Sequence, residues 1–282
     1  MADTYEKDLS QKTSLTTSDF LRVVGSDNVS YKQGLSSVLE FIQSNVVVDG
    51  AAAHNSIYRG KSLGTSVTAA QWSAISDGKF TDMFIGDYWT ISSKVYRIAA
   101  FDYWMNYGDT APSKHHVVLV PDANMYSHVM NDENTTTGAY VGSKMYTEGL
   151  ATAISTVETA FGSGHILTHR EYLKNAVTNG YESAGAWYDS KLELMTEEMV
   201  YGTKEFKNIL NGTNFPAGYT TDHGQLPLFA YDHSRICNRS YWWLRDVASS
   251  NTFALVAYSG YCNDGHASDS HGVRPAFAIC QS

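Results

Sequence analysis

The chain has 282 residues, 43% of them hydrophobic, and a net charge of −9. That length and apolar content can bury a sizeable core, in one large domain or in one large and one small domain. The acidic balance and the lack of any Lys/Arg cluster exclude a phosphate-tracking groove, so no nucleic acid is expected as a partner. No apolar run approaches the ~18 residues a membrane helix needs, so no membrane insertion is expected. The 19 Tyr, 11 Phe and 6 Trp accompany many Ser, Thr, Asn and Gly, a mixture typical of loop-rich β proteins and of binding surfaces.

Residues 1–50 read as a small module. The stretch Met1 to Thr17 is polar, with no apolar core of a signal peptide. Phe20–Val24 and Val29–Gln33 are short strand-like runs joined by Gly25-Ser26-Asp27-Asn28, which has turn chemistry and predicts a hairpin. Leu35, Val38, Leu39 and Ile42 follow at helical spacing. One hairpin and one helix cannot bury enough surface alone, so the module is expected to pack on a partner, on the rest of the chain or on copies of itself. Gly50 to Ala53 reads as the joint.

In the larger region, 51–282, Thr68-Ala-Ala-Gln71 fits a capping box and predicts a helix with Trp72 and Ile75 inward. Residues 84–104 are strand-like, and His116 to Val120 is a β-type run stopped by Pro121. Ser143 to Phe161 predicts the longest helix, with Tyr146, Leu150, Ile154, Val157 and Phe161 on one face and Gly162 past its end. Ile166-Leu167 reads as a short strand, and Thr168-His-Arg-Glu171 as a second capping box opening a helix through Val177. Short strands and loops follow, which gives an α+β fold class.

Few residues suit catalysis. His165 and His169 lie four apart, but a helix starting at Thr168 would place them on different faces, so no metal is expected. Glu193, Glu197 and Glu198 could supply the acid pair of a glycosidase, although three acids in a polar stretch are expected to form a solvated face. Cys237, Cys262 and Cys280 are too few for a disulfide framework; one bridge stays open to them, but free thiols are expected. No phosphate loop, nucleophile elbow or paired CxxC occurs, and no cofactor is expected.

The C-terminal segment differs. Tyr241-Trp-Trp-Leu-Arg-Asp246 and Phe253-Ala-Leu-Val256 predict strands, and Gly272-Val-Arg-Pro-Ala-Phe277 begins a third that continues through Ile279. Between the last two, Ala257 to His271 contains no Ile, Leu, Val or Phe and is read as an exposed loop. Tyr, Ser, Asp, Asn, Gly and His dominate it, a paratope-like set in which Tyr gives stiff contact area and the small polar residues adapt. Every residue in it has a codon ending in a pyrimidine. Randomising the first bases of an AAC or AAT codon reaches all of them and never Lys, Glu, Gln, Met or Trp. An ordinary Gly/Ser/Asn loop also avoids Met and Trp.

The frame Tyr241–Asp246, Phe253, Val256 and Gly272–Phe277 resembles the variable proteins of diversity-generating retroelements and their phage relatives. The style extends over most of 57–282, including Tyr96–Asp102, His115–Asp122, Leu167–Leu173 and Ala184–Ser190. Residues 16–39 resemble modules at the start of phage tail and fibre proteins. The resemblance implies a C-type-lectin-like domain with two early helices and short antiparallel strands, and a variable region at about 231–277. The implied variable positions are Ala257, Tyr258, Ser259, Tyr261, Asn263, Asp264, Gly265, His266, Asp269, Ser270 and His271. Tyr231, Asp232, His233, Ser234 and Asn238 form a second patch upstream. Trp243, Leu244, Arg245, Gly272, Arg274 and Pro275 are implied scaffold, with an Arg fixing loop carbonyls. Only Val120-Pro121-Asp122 approaches the calcium-lectin motifs, so calcium-bridged sugar binding is not implied.

The function so implied is that of a non-enzymatic receptor-binding protein on a phage tail, made in the bacterial host cytoplasm. Its partner would be a bacterial cell-surface receptor, protein or glycan. Other tail proteins would hold the N-terminal module, and a homotrimer is expected. A tail-borne glycan-degrading enzyme with carboxylates in 182–205, and a structural virion decoration protein, remain the alternatives.

Overall fold

The computed structural model describes residues 20–24, 29–35, 37–38, 49–204 and 224–282. The chain divides into two compact units, Met1–Val48 and Asp49–Ser282. In the first, β1 (Phe20–Val24) pairs antiparallel with β2 (Ser30–Gly34) from Phe20↔Gly34 to Val24↔Ser30. The predicted turn at Gly25–Asn28 lies outside the described residues. Of the predicted helix, Leu35, Ser37 and Val38 are helical, and the rest falls outside the described residues.

The second unit is a mixed α+β fold. It opens on a helical turn, α1 (Ala51–His54), whose N-cap Gly50 has φ 89°. Next come β3 (Ser62–Gly64), α2 (Ala69–Ser76), β4 (Tyr88–Ile91), β5 (Lys94–Phe101) and β6 (His116–Pro121). The capping box of α2 forms as its sequence predicts: Gln71 N–H donates to Thr68 Oγ1 at 3.2 Å, and Thr68 N–H donates to Gln71 Oε1 at 2.9 Å. Ile75 is buried and Trp72 half-buried against the core.

After β7 (Tyr126–His128), a π-helical turn at Met145–Gly149 runs into α3 (Leu150–Phe161). This helix buries Leu150, Ala153, Val157 and Phe161 and ends at Gly162, φ 90°, a conformation that favours glycine. Phe161 packs between Tyr96 and Phe277, with ring centroids 5.1 and 5.6 Å away.

The predicted helix over 168–177 does not form. Those residues belong to β8 (His169–Thr178), paired antiparallel with β9 (Tyr181–Ser190) across Asn179 and Gly180, φ 54° and 82°. Asn-Gly with both φ values positive is the preferred two-residue hairpin turn. His169, Glu171 and Leu173 are buried while Arg170, Tyr172 and Lys174 are less so, the period of a strand. Glu171 does not cap; it accepts from Trp104 Nε1 at 2.7 Å.

The remaining elements are β10 (Leu192–Leu194), α4 (Glu197–Tyr201), α5 (Pro227–Tyr231), β11 (Trp242–Val247), β12 (Thr252–Val256), β13 (Cys262–His266), β14 (His271–Val273) and β15 (Pro275–Cys280). One sheet has the order β10-β15-β6-β5-β4-β3, a second β13-β12-β11-β14-β7, and β8-β9 is a third. The strands are not all antiparallel as expected: β3–β4 and β11–β14 are parallel. The single strand predicted from Gly272 onward is two strands, which enter different sheets on either side of Arg274. Wholly buried β15, lying between β10 and β6, makes the floor of the core.

Candidate binding surface

The segment 257–271 is a hairpin arm and a turn, not the plain loop its composition suggests. Ala257 N–H donates to Tyr261 C=O at 2.9 Å, and Gly260, φ 93°, closes the turn with its N–H on Ala257 C=O at 2.8 Å. Residues 262–266 form β13, paired one to one with β12. A second turn follows, with Asp269 N–H on His266 C=O at 2.9 Å, before β14.

This geometry sorts the predicted positions. Tyr258, Ser259, Tyr261, Asp264, His266, Asp269 and Ser270 are exposed, and Asn263, Gly265 and His271 are half-buried. Ala257 is fully buried. It belongs with the scaffold, because it lies at the end of β12 under the turn. The absence of large apolar residues does not make the segment free of core: Ala257 and Ala267 both contribute. Upstream, Tyr231, His233 and Ser234 are exposed, and Asp232 and Asn238 half-buried. Tyr231, Tyr258 and Tyr261 are 50%, 53% and 54% exposed, unusual for large rings.

The two patches meet. Cys237 Sγ donates to Tyr258 C=O at 3.2 Å, and a Cβ on Gly260 would lie 3.0 Å from Cys237 Cβ. Tyr201 OH donates to Gly260 C=O at 3.1 Å from below. Asp232 accepts from Tyr58 OH at 2.6 Å, Ser234 Oγ at 2.5 Å and Arg235 Nε at 2.9 Å. Burial opposes its ionisation, but these bonds from Ser234, Tyr58 and Arg235 bring the carboxyl down to about 2.

An aromatic row crosses the face. The His271 ring lies 4.7 Å from Trp243 and 5.4 Å from Tyr241, and Tyr241 lies 5.9 Å from Tyr258. Gly265 sits beside this row: a Cβ there would come within 2.7 Å of Leu255, 3.0 Å of Trp243 and 3.2 Å of His271. Burial lowers the His271 pKa, with Asp269 opposing.

The implied scaffold residues are buried, except for half-buried Arg245. Arg274 donates from Nε to Pro121 C=O at 2.7 Å and from Nη1 to Arg235 C=O at 2.8 Å, with its guanidinium 4.9 Å from the Trp242 ring. It thus fixes backbone carbonyls at the end of β6 and of the 3-10 turn His233–Arg235, where the resemblance implied loop carbonyls. Two further residues position the surface without any signal in the sequence. Asn124 donates to Tyr241 C=O at 3.1 Å and accepts from Asn238 at 2.7 Å, and Tyr58 anchors Asp232. Each lies more than 100 positions from its partner, |i−j| 117, 114 and 174, beyond any local pattern.

The other candidates resolve into core groups. His165 stacks on Trp72 at 4.0 Å and bonds Cys280 C=O, whereas His169 is buried against Trp104 at 3.9 Å, so the two do not form a ligand pair. The solvated face expected of Glu193 and Glu197 is corrected: both are buried. Glu193 accepts from Tyr140 OH at 2.7 Å and from the Ser190 hydroxyl, and burial pushes it up to about 7. Glu197 Oε1 accepts from Cys262 Sγ at 3.0 Å. They face inward because β10 and α4 pack on the core; Glu198 alone is half-buried. All three cysteines are free thiols.

Residues 166–281, which include every predicted contact position, match the model of a family described as a domain of unknown function (DUF6273). No curated protein matches the chain, and no solved structure does.

Proposed function

We propose that the chain is a receptor-binding protein of a bacteriophage tail, displaying a variable ligand-binding surface on a C-type-lectin-like scaffold. Its ligand is a bacterial cell-surface protein or glycan. The observation that carries this reading is the convergence of 231–238 and 257–271 into one surface bearing three exposed tyrosines. Rigid aromatic contact area beside adaptable Ser, Asn and Asp is how paratopes bind. The backbone beneath is held by buried groups, so the exposed side chains above it, though not the hemmed-in Gly265, can differ without rebuilding the fold. The first unit, by its resemblance to fibre modules, attaches the protein to other tail proteins and assembles it as a homotrimer, which multiplies weak single-site binding by avidity.

The test is adsorption of the purified protein to a panel of bacterial strains. A strain-specific signal that Tyr258→Ala with Tyr261→Ala lowers at least about tenfold is expected, since buried aromatic anchors dominate such interfaces. Adsorption unchanged after the whole 257–271 segment is replaced would overturn the reading in favour of a decoration protein.

A further inference from the structure

We infer that β13 is a docking edge at which an extended polypeptide joins the five-stranded sheet as an additional strand. This rests on the reading of the 257–271 face as a binding surface, and it narrows the ligand from protein or glycan to protein.

Sheet edges carry unpaired backbone groups, and proteins blunt them by keeping edge strands short, bulged, or guarded by Lys or Pro. In the two larger sheets, the edge strands β10, β3 and β7 have three residues each. The remaining edge, β13, has five and keeps an unbroken register with β12. Its sequence, Cys-Asn-Asp-Gly-His, contains neither Lys nor Pro. Of the four edges of the two larger sheets, the one long and regular edge therefore lies within the surface assigned to ligand binding.

The direction of its peptide groups follows from its two ends. Ala257 N–H bonds Tyr261 C=O, and Ala267 N–H bonds Asn251 C=O at 3.0 Å. Bonded and non-bonded pairs alternate along an antiparallel ladder. Asn263 and Gly265 therefore turn their peptide groups toward β12, while Asp264 and His266 turn theirs outward. The His266 carbonyl is taken by Asp269 N–H. The N–H and C=O of Asp264 and the N–H of His266 have no hydrogen-bond partner among the described residues. They form a short template for strand addition, with exposed Tyr258 and Tyr261 beside one end.

Charge decides the occupant. The Asp264 side chain is exposed and makes no ion pair among the described residues. A second copy pairing about a two-fold axis at this residue would set Asp opposite Asp, which is unfavourable across strands, and each copy carries a net charge of −9. The edge fits a different chain, an extended segment with Lys or Arg opposite Asp264.

The probe is a displayed library of random linear peptides selected on the full-length protein, with a glycan array run in parallel. Selected peptides are expected to be basic. Their affinity is expected to fall about tenfold further with Asp264→Pro, which removes the outward N–H, than with Asp264→Ala, which removes only the carboxylate. Singly N-methylating each peptide residue in turn, against the unmodified protein, is expected to weaken binding at alternate positions. This second arm does not depend on how the proline variant folds. Equal losses with Ala and Pro, or N-methyl effects without a period of two, overturn the docking edge. No peptide but a glycan hit lost in Tyr258→Ala also overturns it and leaves the binding surface standing. Binding from neither library removes both.

Discussion

Arg245 and Glu171 form a buried ion pair, 2.9 Å from Nη2 to Oε2, that ties β11 to the β8–β9 hairpin. Burial opposes the charge on Arg245, but Glu171 and Glu193 outweigh it and raise its pKa. Removing one partner leaves the other charged in the core. Arg245→Met should cost about 3–5 kcal/mol in urea denaturation, and Arg245→Met with Glu171→Leu less than the single change. A double-variant cost equal to the sum of the two single costs would show that the pair is not coupled.

Glu193 gives a pH dependence with a defined sign. Its carboxyl is raised by burial to about 7, above its ordinary value of 4.5. The folded state therefore holds the proton more tightly than the unfolded state. The stability this contributes is fully present below about pH 4.5 and is lost as pH rises through about 7. His116, lowered by burial to about 4, acts oppositely below pH 6.5, so the comparison must be differential. The Tm of the native chain minus that of Glu193→Gln should fall by about 5 °C between pH 5 and 8. A flat difference would place the titration elsewhere.

Gly272 and Asn124 should behave as one unit. A Cβ on Gly272 would lie 1.9 Å from Asn124 Nδ2. Gly272→Ala alone should destabilise by about 1–3 kcal/mol. In the Asn124→Ala background most of that cost should vanish, a coupling readable by a double-mutant cycle in thermal denaturation. Additive costs would mean that the collision is relieved some other way.

Within 257–271, stability and exposure should separate sharply. Ser259→Ala, Asp264→Ala and Ser270→Ala should each change stability by no more than about 0.5 kcal/mol, since all three are exposed. Ala257→Asp, one position from exposed Tyr258, should cost about 3 kcal/mol or more, because it buries an unpaired carboxylate. Circular dichroism melts distinguish the two groups.

What the sequence disclosed was mostly local. Thr68 and Gln71 bond across one helical turn, and Gly162 ends α3 by its own backbone freedom, so both could be read from neighbouring residues. The hairpin after Thr168 is masked because Thr-x-x-Glu imitates a capping box, although Asn179-Gly180 carries the stronger signal. The burial of Glu193 and Glu197 is not legible locally because burial of an acid depends on partners such as Tyr140 and Cys262, 53 and 65 positions away. The composition of 257–271 did mark seven exposed positions, but Asn263, Gly265 and His271 are half-buried and Ala257 is buried. It could not reveal that the middle of the segment pairs as a strand, since Cys-Asn-Asp-Gly-His has little strand preference of its own.

Arg274 gives the surface a further property. Its guanidinium ends on the carbonyls of Pro121 and Arg235. The backbone carbonyl is a hydrogen-bonding group that every residue, proline included, brings to the chain. The clamp grips the part of the polypeptide that mutation does not alter and is blind to the part that it does. Two copies of this protein could differ at every exposed position above it and still be held in the same frame, so novelty at this face need not be matched by repairs beneath it.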